Sequence, residues 1–263
     1  MYPKIYIDLF RSCDRAPEVF VGMPFSKEFE PRWKSIYKPA ITSCNLKPFR
    51  VKERFVGDSI LIDILNGISR AKFLLFDISN EKTARPNPNV MYELGIAHAT
   101  RMPEEVIIIR DKQSENSPFD IKHIRWNNFS PQNIKQSVTT IKNLIKKAEK
   151  EVDLTKDLII KKVLNSLDID MMAFLDTIRE YTETGFDLCA FDPDRSGLYG
   201  LPHKDCSEEY LREIALRFIN LEIIKSAEPL PIRERVYGVT PEYYLTEFGK
   251  TVLSKIPKFS KEL

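Results

Sequence analysis

The segment NPNVMYELGIAHA, residues Asn87 to Ala99, carries one carboxylate, Glu93, in an otherwise apolar run behind an Asn-Pro-Asn turn. Taking a carboxylate out of water is costly or raises its pKa, so Glu93 either sits on the wet face of a helix or belongs to a site. A second carboxylate, Asp77, closes the apolar run KFLLFDI. Two carboxylates in one cleft can divide the work of stabilising positive charge and of carrying a proton. Metal chemistry is not supported: His98, His123 and His203 have no histidine or cysteine at ligand spacing.

Such groups need elements to hold them. EVFVGMPF reads as a strand running into a loop, FEPRWKSIYKPAITSC as a helix, and LKPFRVKE as the next strand. In DSILIDILNGISRA the stripe Ile60, Leu61, Ile64, Leu65 and Ile68 predicts an amphipathic helix capped by Asp58. KFLLFDI has the continuous apolar character of a strand covered on both faces. VMYELGIAHATR is the next helix, EEVIIIRD another buried strand, PFDIKHIRWNNF a short strand or turn, and SPQNIKQSVTTIKNLIKKAEKEV a closing helix. This alternation predicts an α/β, Rossmann-like (flavodoxin-like) parallel sheet flanked by helices. Ligands of such sheets bind beyond the carboxyl ends of the strands. That edge receives GMPF (Gly22, Met23, Pro24, Phe25), FDISN (Phe76 to Asn80), and the helix entrance with Glu93, which faces the other two across a cleft.

The 263 residues suffice for two domains, and charge divides them. Residues 1–150 hold 25 basic and 17 acidic side chains, residues 151–263 hold 15 and 21, so net charges of +8 and −6 hide in a total of +2. Cys13, Cys44, Cys189 and Cys206 form no CxxC pair, which suits reduced thiols, and no long apolar segment is present. A cytoplasmic protein without a membrane span is expected.

The segments VFVGMPF, the strand at Arg50 and Val51, LLFDIS, NPNVMYELGIAHA and SPFDIKHIRW follow one another in a way that resembles the nucleoside 2-deoxyribosyltransferase superfamily, in particular its TIR-like nucleotide-binding branch. The likeness covers roughly residues 18 to 130, and NPNVMYELGIAHA is its most specific part. It implies that Glu93 attacks or stabilises the anomeric carbon of a ribose-type sugar, and that Asp77 protonates the departing base or positions the sugar. It places Gly22, Met23, Pro24 and Phe25 around the ligand, with Arg50, Asn87, Asn89, Phe119 and Asp120 as further ligand contacts. The family pattern has an acid where this chain has Asn87 or Asn89, and an Arg-x-Asp where Arg50 is followed by Val51, Lys52 and Glu53. These departures favour hydrolysis over transfer. The reaction implied is N-glycosidic cleavage, with NAD or a (deoxy)nucleoside phosphate as substrate and no cofactor. Bottom-up, a fixed carboxylate suits the oxocarbenium-like charge that develops at the sugar. Arg50 and Arg54 are residues that could hold phosphate.

Beyond Lys150, DLIIKKVLNSL, DIDMMAFLDTIREY and SEEYLREIALRFIN are helical by period, LEIIKS reads as a strand, and VYGVTPEYYLTEFGKTVLSKI as strand, turn and a helix capped by Thr246. Over roughly residues 165 to 257 this order resembles winged helix-turn-helix domains. DNA binding is their usual role, but an acidic domain lacks the basic footprint for phosphates, and Arg212 and Arg217 stand among Glu208, Glu209 and Glu213. Self-association or a protein partner is expected instead, through Leu211, Leu216 and Phe218. Pairings of this kind resemble effectors of bacterial anti-phage defence; a nucleotide-sensing regulator is the alternative.

Overall fold

A computed structural model of the chain describes residues 15–51, 60–81, 85–114, 125–186, 208–226 and 243–256. The chain divides into two compact units, Met1–Thr155 and Lys156–Leu263. Asp58, Arg54, Phe119, Asp120, His123, His203 and three of the cysteines lie outside the described residues.

The first unit is built on a five-stranded, all-parallel sheet in the order β2-β1-β3-β4-β5. Its strands are β1 (Ala16–Gly22), β2 (Lys47–Phe49), β3 (Ala71–Asp77), β4 (Val106–Asp111) and β5 (Asn127–Phe129). Helix α1 joins β1 to β2 as one path made of Glu30–Arg32, a π-helical Trp33–Tyr37 and Lys38–Thr42. Pro39, which has no N–H to donate into the preceding turn, follows the widened segment. The other helices are α2 (Ile60–Arg70), α3 (Pro88–Thr100) and α4 (Ile134–Ser166), whose residues from Lys156 onward belong to the second unit. The last is a single helix of 33 residues, where the sequence suggested a closing helix and a separate one after it.

Strand alternation sorts the core onto two faces. Val19, Val21, Phe73, Leu75, Ile107 and Ile109 pack under Trp33, Tyr37 and Ile41 of α1 and Ile141 and Ile145 of α4. Phe20, Leu74, Phe76 and Ile108 pack under Leu65 and Ile68 of α2 and Val90, Leu94 and Ala97 of α3. Gly67 lets α2 lie against the sheet, since a Cβ there would stand 2.7 Å from the Phe20 ring. Leu61 departs from the expected stripe: it is exposed, while Ile64 packs partly against the core and Leu65 and Ile68 are buried. β3, at the centre, is covered on both sides as its apolar run suggested.

At the amino-terminal edge of the sheet, Arg101 caps the end of α3 and is fully buried. Its Nε donates to Glu105 Oε2 at 2.6 Å, its Nη2 to the Lys72 carbonyl at 3.1 Å and its Nη1 to the Ile68 carbonyl, while Glu105 Oε1 is 3.5 Å from Arg15. This clasp ties α2, β3 and α3 together. Replacing Arg101 by Met strands two carbonyls and leaves Glu105 with Arg15 and the Met102 N–H alone, so Arg101→Met is expected to cost about 3 kcal/mol or more in urea unfolding.

The second unit packs α5 (Ile169–Thr177), α6 (Glu208–Asn220) and α7 (Glu247–Lys255) around Met171, Phe174, Ile214, Phe218, Ile223 and Val252. A ribbon of β6 (Ile224–Ser226) and β7 (Tyr243–Leu245) is antiparallel, and Phe186 adds a bridge to it through paired backbone bonds of 2.9 Å with Tyr243. Asp168 caps α5, accepting from Met171 N at 2.8 Å. Thr246 caps α7, accepting from Gly249 N at 2.8 Å, as its place in the sequence suggested. Leu211 and Phe218, expected to be available to a partner, lie in this core because they repeat at helical spacing with Ile214 and Ala215; Leu216, on the opposite side of α6, is exposed. Among the described residues no helix is long and apolar enough to cross a membrane.

Candidate active site at the sheet's carboxyl edge

The order 2-1-3-4-5 reverses direction between β1 and β3, and a crevice opens where connections leave to opposite faces. Glu93 comes to this point. Its helix begins at Asn87, whose side chain caps it by accepting from Asn89 N at 2.9 Å and Val90 N at 3.3 Å, with Pro88 in the first turn. From that start the inward positions of α3 are Val90, Glu93, Leu94 and Ala97. His98 and Asn89 are exposed.

The Glu93 side chain reaches over the last residue of β1. A Cβ built on Gly22 would lie 3.0 Å from Glu93 Oε2 and 2.4 Å from Cδ1 of Phe76. Glycine is therefore required for the carboxyl to reach the switch point. Glu93 is only 9% exposed, and no hydrogen bond or ion pair holds its carboxyl among the described residues. Burial alone raises it from 4.5 to about 7. Gly22→Ala is expected to cost about 1–3 kcal/mol through the Phe76 collision and, if the expected nucleotide ligand binds here, to weaken its binding by pushing the carboxyl aside. Thermal unfolding and calorimetric titration read the two effects separately.

Asp77 has a different situation. It follows Phe76, so it projects from the other face of the sheet, the one covered by α1. It is fully buried and four donors occupy it: Arg32 Nη1 at 3.1 Å and Tyr37 Oη at 2.5 Å on Oδ2, and the Ser79 backbone N–H at 3.0 Å and Ser79 hydroxyl on Oδ1. Arg32 continues to Asp111 Oδ2 at 3.0 Å, and Asp111 Oδ1 accepts from Gln113 N at 3.0 Å. Burial works against the Arg32 charge, but Asp77, Tyr37 and Asp111 outweigh it and raise its pKa. Burial and then the Asp77 charge push the Tyr37 hydroxyl well up, so it stays a donor. Asp77 was expected to protonate the departing base or to position the sugar; the structure places it on the α1 face of the sheet with four donors on its carboxyl group. These four hydrogen bonds and the Arg32 bridge to Asp111 anchor α1 to the ends of β3 and β4.

Arg50, at the end of β2, is nearly fully buried on the α1 side. It donates to Glu30 Oε1 at 2.9 Å and lies over the Trp33 ring at 4.8 Å and the Phe25 ring at 5.9 Å. Phe25 is exposed at the mouth of the β1 loop, Pro24 is buried beside it, and Met23 packs into the core under α1 rather than toward Glu93. Of the expected contacts, then, Gly22 and Glu93 are brought together directly, Phe25 and Arg50 share a second cluster, and Asn87 acts as a helix cap that also donates to Glu81 at 2.9 Å.

Arg32, Tyr37, Ser79 and Asp111 are the site-edge residues that sequence reading missed. Asp111 gave a signal, since it closes EEVIIIRD as Asp77 closes KFLLFDI. Arg32 gave none: its partners lie 45 and 79 positions away. Among the described residues no cluster of three or more His, Cys, Asp or Glu could hold a metal ion. No protein-family model and no curated protein matches the chain.

Proposed function

We propose that the protein is a nucleotide N-glycosidase that hydrolyses the bond between base and sugar in NAD or a (deoxy)nucleoside phosphate. The observation that carries this reading is Glu93: a buried carboxyl without a partner among the described residues, laid over a glycine at the switch point of a parallel sheet. A group so placed has no structural task there, and its desolvation is repaid when positive charge develops beside it, as at the sugar of a breaking N-glycosidic bond. The resemblance of NPNVMYELGIAHA to the deoxyribosyltransferase-like, TIR-like proteins points to the same carboxylate. Incubation with NAD and a panel of nucleosides and nucleotides, followed by chromatography of free base, tests it. Base release is expected; tight binding without any release favours the alternative, a nucleotide-sensing regulator, for which the commitment of Asp77 to Arg32 and Tyr37 speaks.

The second unit is read as a winged-helix domain that gates the first, as in effectors of anti-phage defence. Helix α6 ahead of the ribbon, the Phe186 bridge and the capped α7 support that assignment. On α6 the exposed Arg217 is engaged by Glu213 at 2.7 Å and Asp168 at 3.7 Å, which leaves little for a phosphate. Duplex DNA is therefore expected to show no salt-sensitive binding that Arg212→Ala and Arg217→Ala remove. A gel shift lost in those variants would make the protein a nucleotide-responsive DNA binder instead.

A further inference from the structure

We propose that two copies of this chain pair through the outer face of α3, the helix whose inner face carries Glu93, in an antiparallel crossing about a two-fold axis beside Gly95. The inference does not rest on the glycosidase reading. In a chain that is 30% charged, the thirteen residues of a helix would hold about four charges, and a helix lying on a sheet sets them on its wet side. α3 holds one, Glu93, and that one points inward. Pro88, Tyr92, Gly95 and Ala99 recur at helical spacing on the side opposite Val90, Glu93, Leu94 and Ala97, and all four are exposed, Tyr92 by 55%. His98 beside them is held mostly neutral at pH 7, because desolvation lowers its pKa from 6.5. α3 thus has the composition of a helix covered all round, with one face covered in the single chain.

Gly95 points to the occupant. Glycine inside a helix is destabilising relative to alanine, and at other glycines the chain's own atoms demand it. A Cβ would collide with the Phe76 ring at Gly22, with the Phe20 ring at Gly67 and with the Ile223 carbonyl at Gly249. At Gly95 it meets no described atom within 4 Å. The room left there opens outward, where a second backbone can approach. The face is also its own complement: Tyr92 projects from it as a ring, and Ala99, two turns on, is a depression. In the antiparallel crossing each Tyr92 lies level with the other copy's Ala99. Charge favours a like partner. Residues 1–150 carry a net +8, so two copies repel except where they present an uncharged face, and an acidic partner would be drawn to cations that this face lacks. From Pro88 to Ala99 the strip is about 17 Å long, well short of what a permanent dimer buries, so the pair is reversible, with a dissociation constant on the order of micromolar or weaker.

Sedimentation velocity on the full chain, from about 1 to about 200 μM, tests this. Wild type is expected to pass from monomer to dimer over that range. Tyr92→Glu and Ala99→Lys each set a charge against a neutral surface and are expected to weaken the pair at least about tenfold. Tyr92→Glu combined with Ala99→Lys is expected to restore it, since the two-fold sets each new carboxylate beside the other copy's new ammonium. Within one copy the two positions are about 10 Å apart along the helix, too far to bond, so rescue reports on contact between copies. Urea unfolding checks that these surface variants keep the wild-type fold. A wild type that stays monomeric overturns the proposal and leaves the face to a different partner. Dimers unchanged in both single variants overturn it too and move association to another surface, such as that of the second unit. Single variants that fail without rescue in the combination overturn the antiparallel two-fold.

Discussion

Glu93→Gln is expected to lower base release on the order of 10²-fold or more and, at the same time, to make the protein more stable above neutral pH. Both effects have one cause. The wild-type carboxyl titrates near 7 in the folded chain against 4.5 ordinarily, because burial penalises its charge. Between those values the folded state holds a proton that the unfolded state has given up, so stability falls as pH rises from about 4.5 to about 7. The loss amounts to about 3 kcal/mol and is complete above 7. Glutamine keeps the shape and removes the charge. The variant should thus match wild type in urea unfolding at low pH and exceed it by about 3 kcal/mol at pH well above 7. Equal stability at every pH would mean that Glu93 is solvated, and wild-type rates in the variant would end its catalytic assignment.

Asp77→Asn should act on the fold. The amide presents a donor where Arg32, Tyr37 and Ser79 already donate, and the Arg32 charge keeps only Asp111. Breaking a buried pair from one side typically costs about 3–5 kcal/mol, and that range is expected here. An Asp77 that only anchors α1 changes catalysis per folded molecule equally for substrates with good and poor leaving groups. A selective loss on neutral nucleosides would restore it as the acid, against the four donors that occupy it.

Why the sequence suggested two cooperating carboxylates is instructive. The apolar runs around Asp77 and Glu93 correctly marked a strand buried on both faces and an inward-looking glutamate, since an unbroken apolar run leaves no side of its element suited to water. Both groups do reach the carboxyl edge. What the runs did not reveal is parity: Asp77 alternates with Phe76, and Phe76, not Asp77, shares a face with Gly22 and Glu93. Assigning faces required knowing on which side α1 and α3 cross, which depends on strand order and crossover hand together. The Arg32 bridge was hidden for another reason, because an ion pair across 79 positions leaves no local pattern. The sequence reading broke α4 in two near Lys150, although 134–166 contains neither Gly nor Pro. It also offered Leu211 and Phe218 to a partner, although their spacing with Ile214 and Ala215 is that of a core stripe.

The most direct test of the central claim is the pH dependence of kcat/KM for nicotinamide release from NAD, measured on wild type and Glu93→Gln across neutral pH. That profile reports the ionisation of the free enzyme, and under the proposed function the active form is the one with Glu93 ionised. The rate is predicted to rise about tenfold per pH unit below 7, to level off above about 7, and to lose this rise in Glu93→Gln. A flat wild-type profile, or the same rise retained in Glu93→Gln, would contradict the assignment of Glu93 as the carboxylate that acts on the sugar.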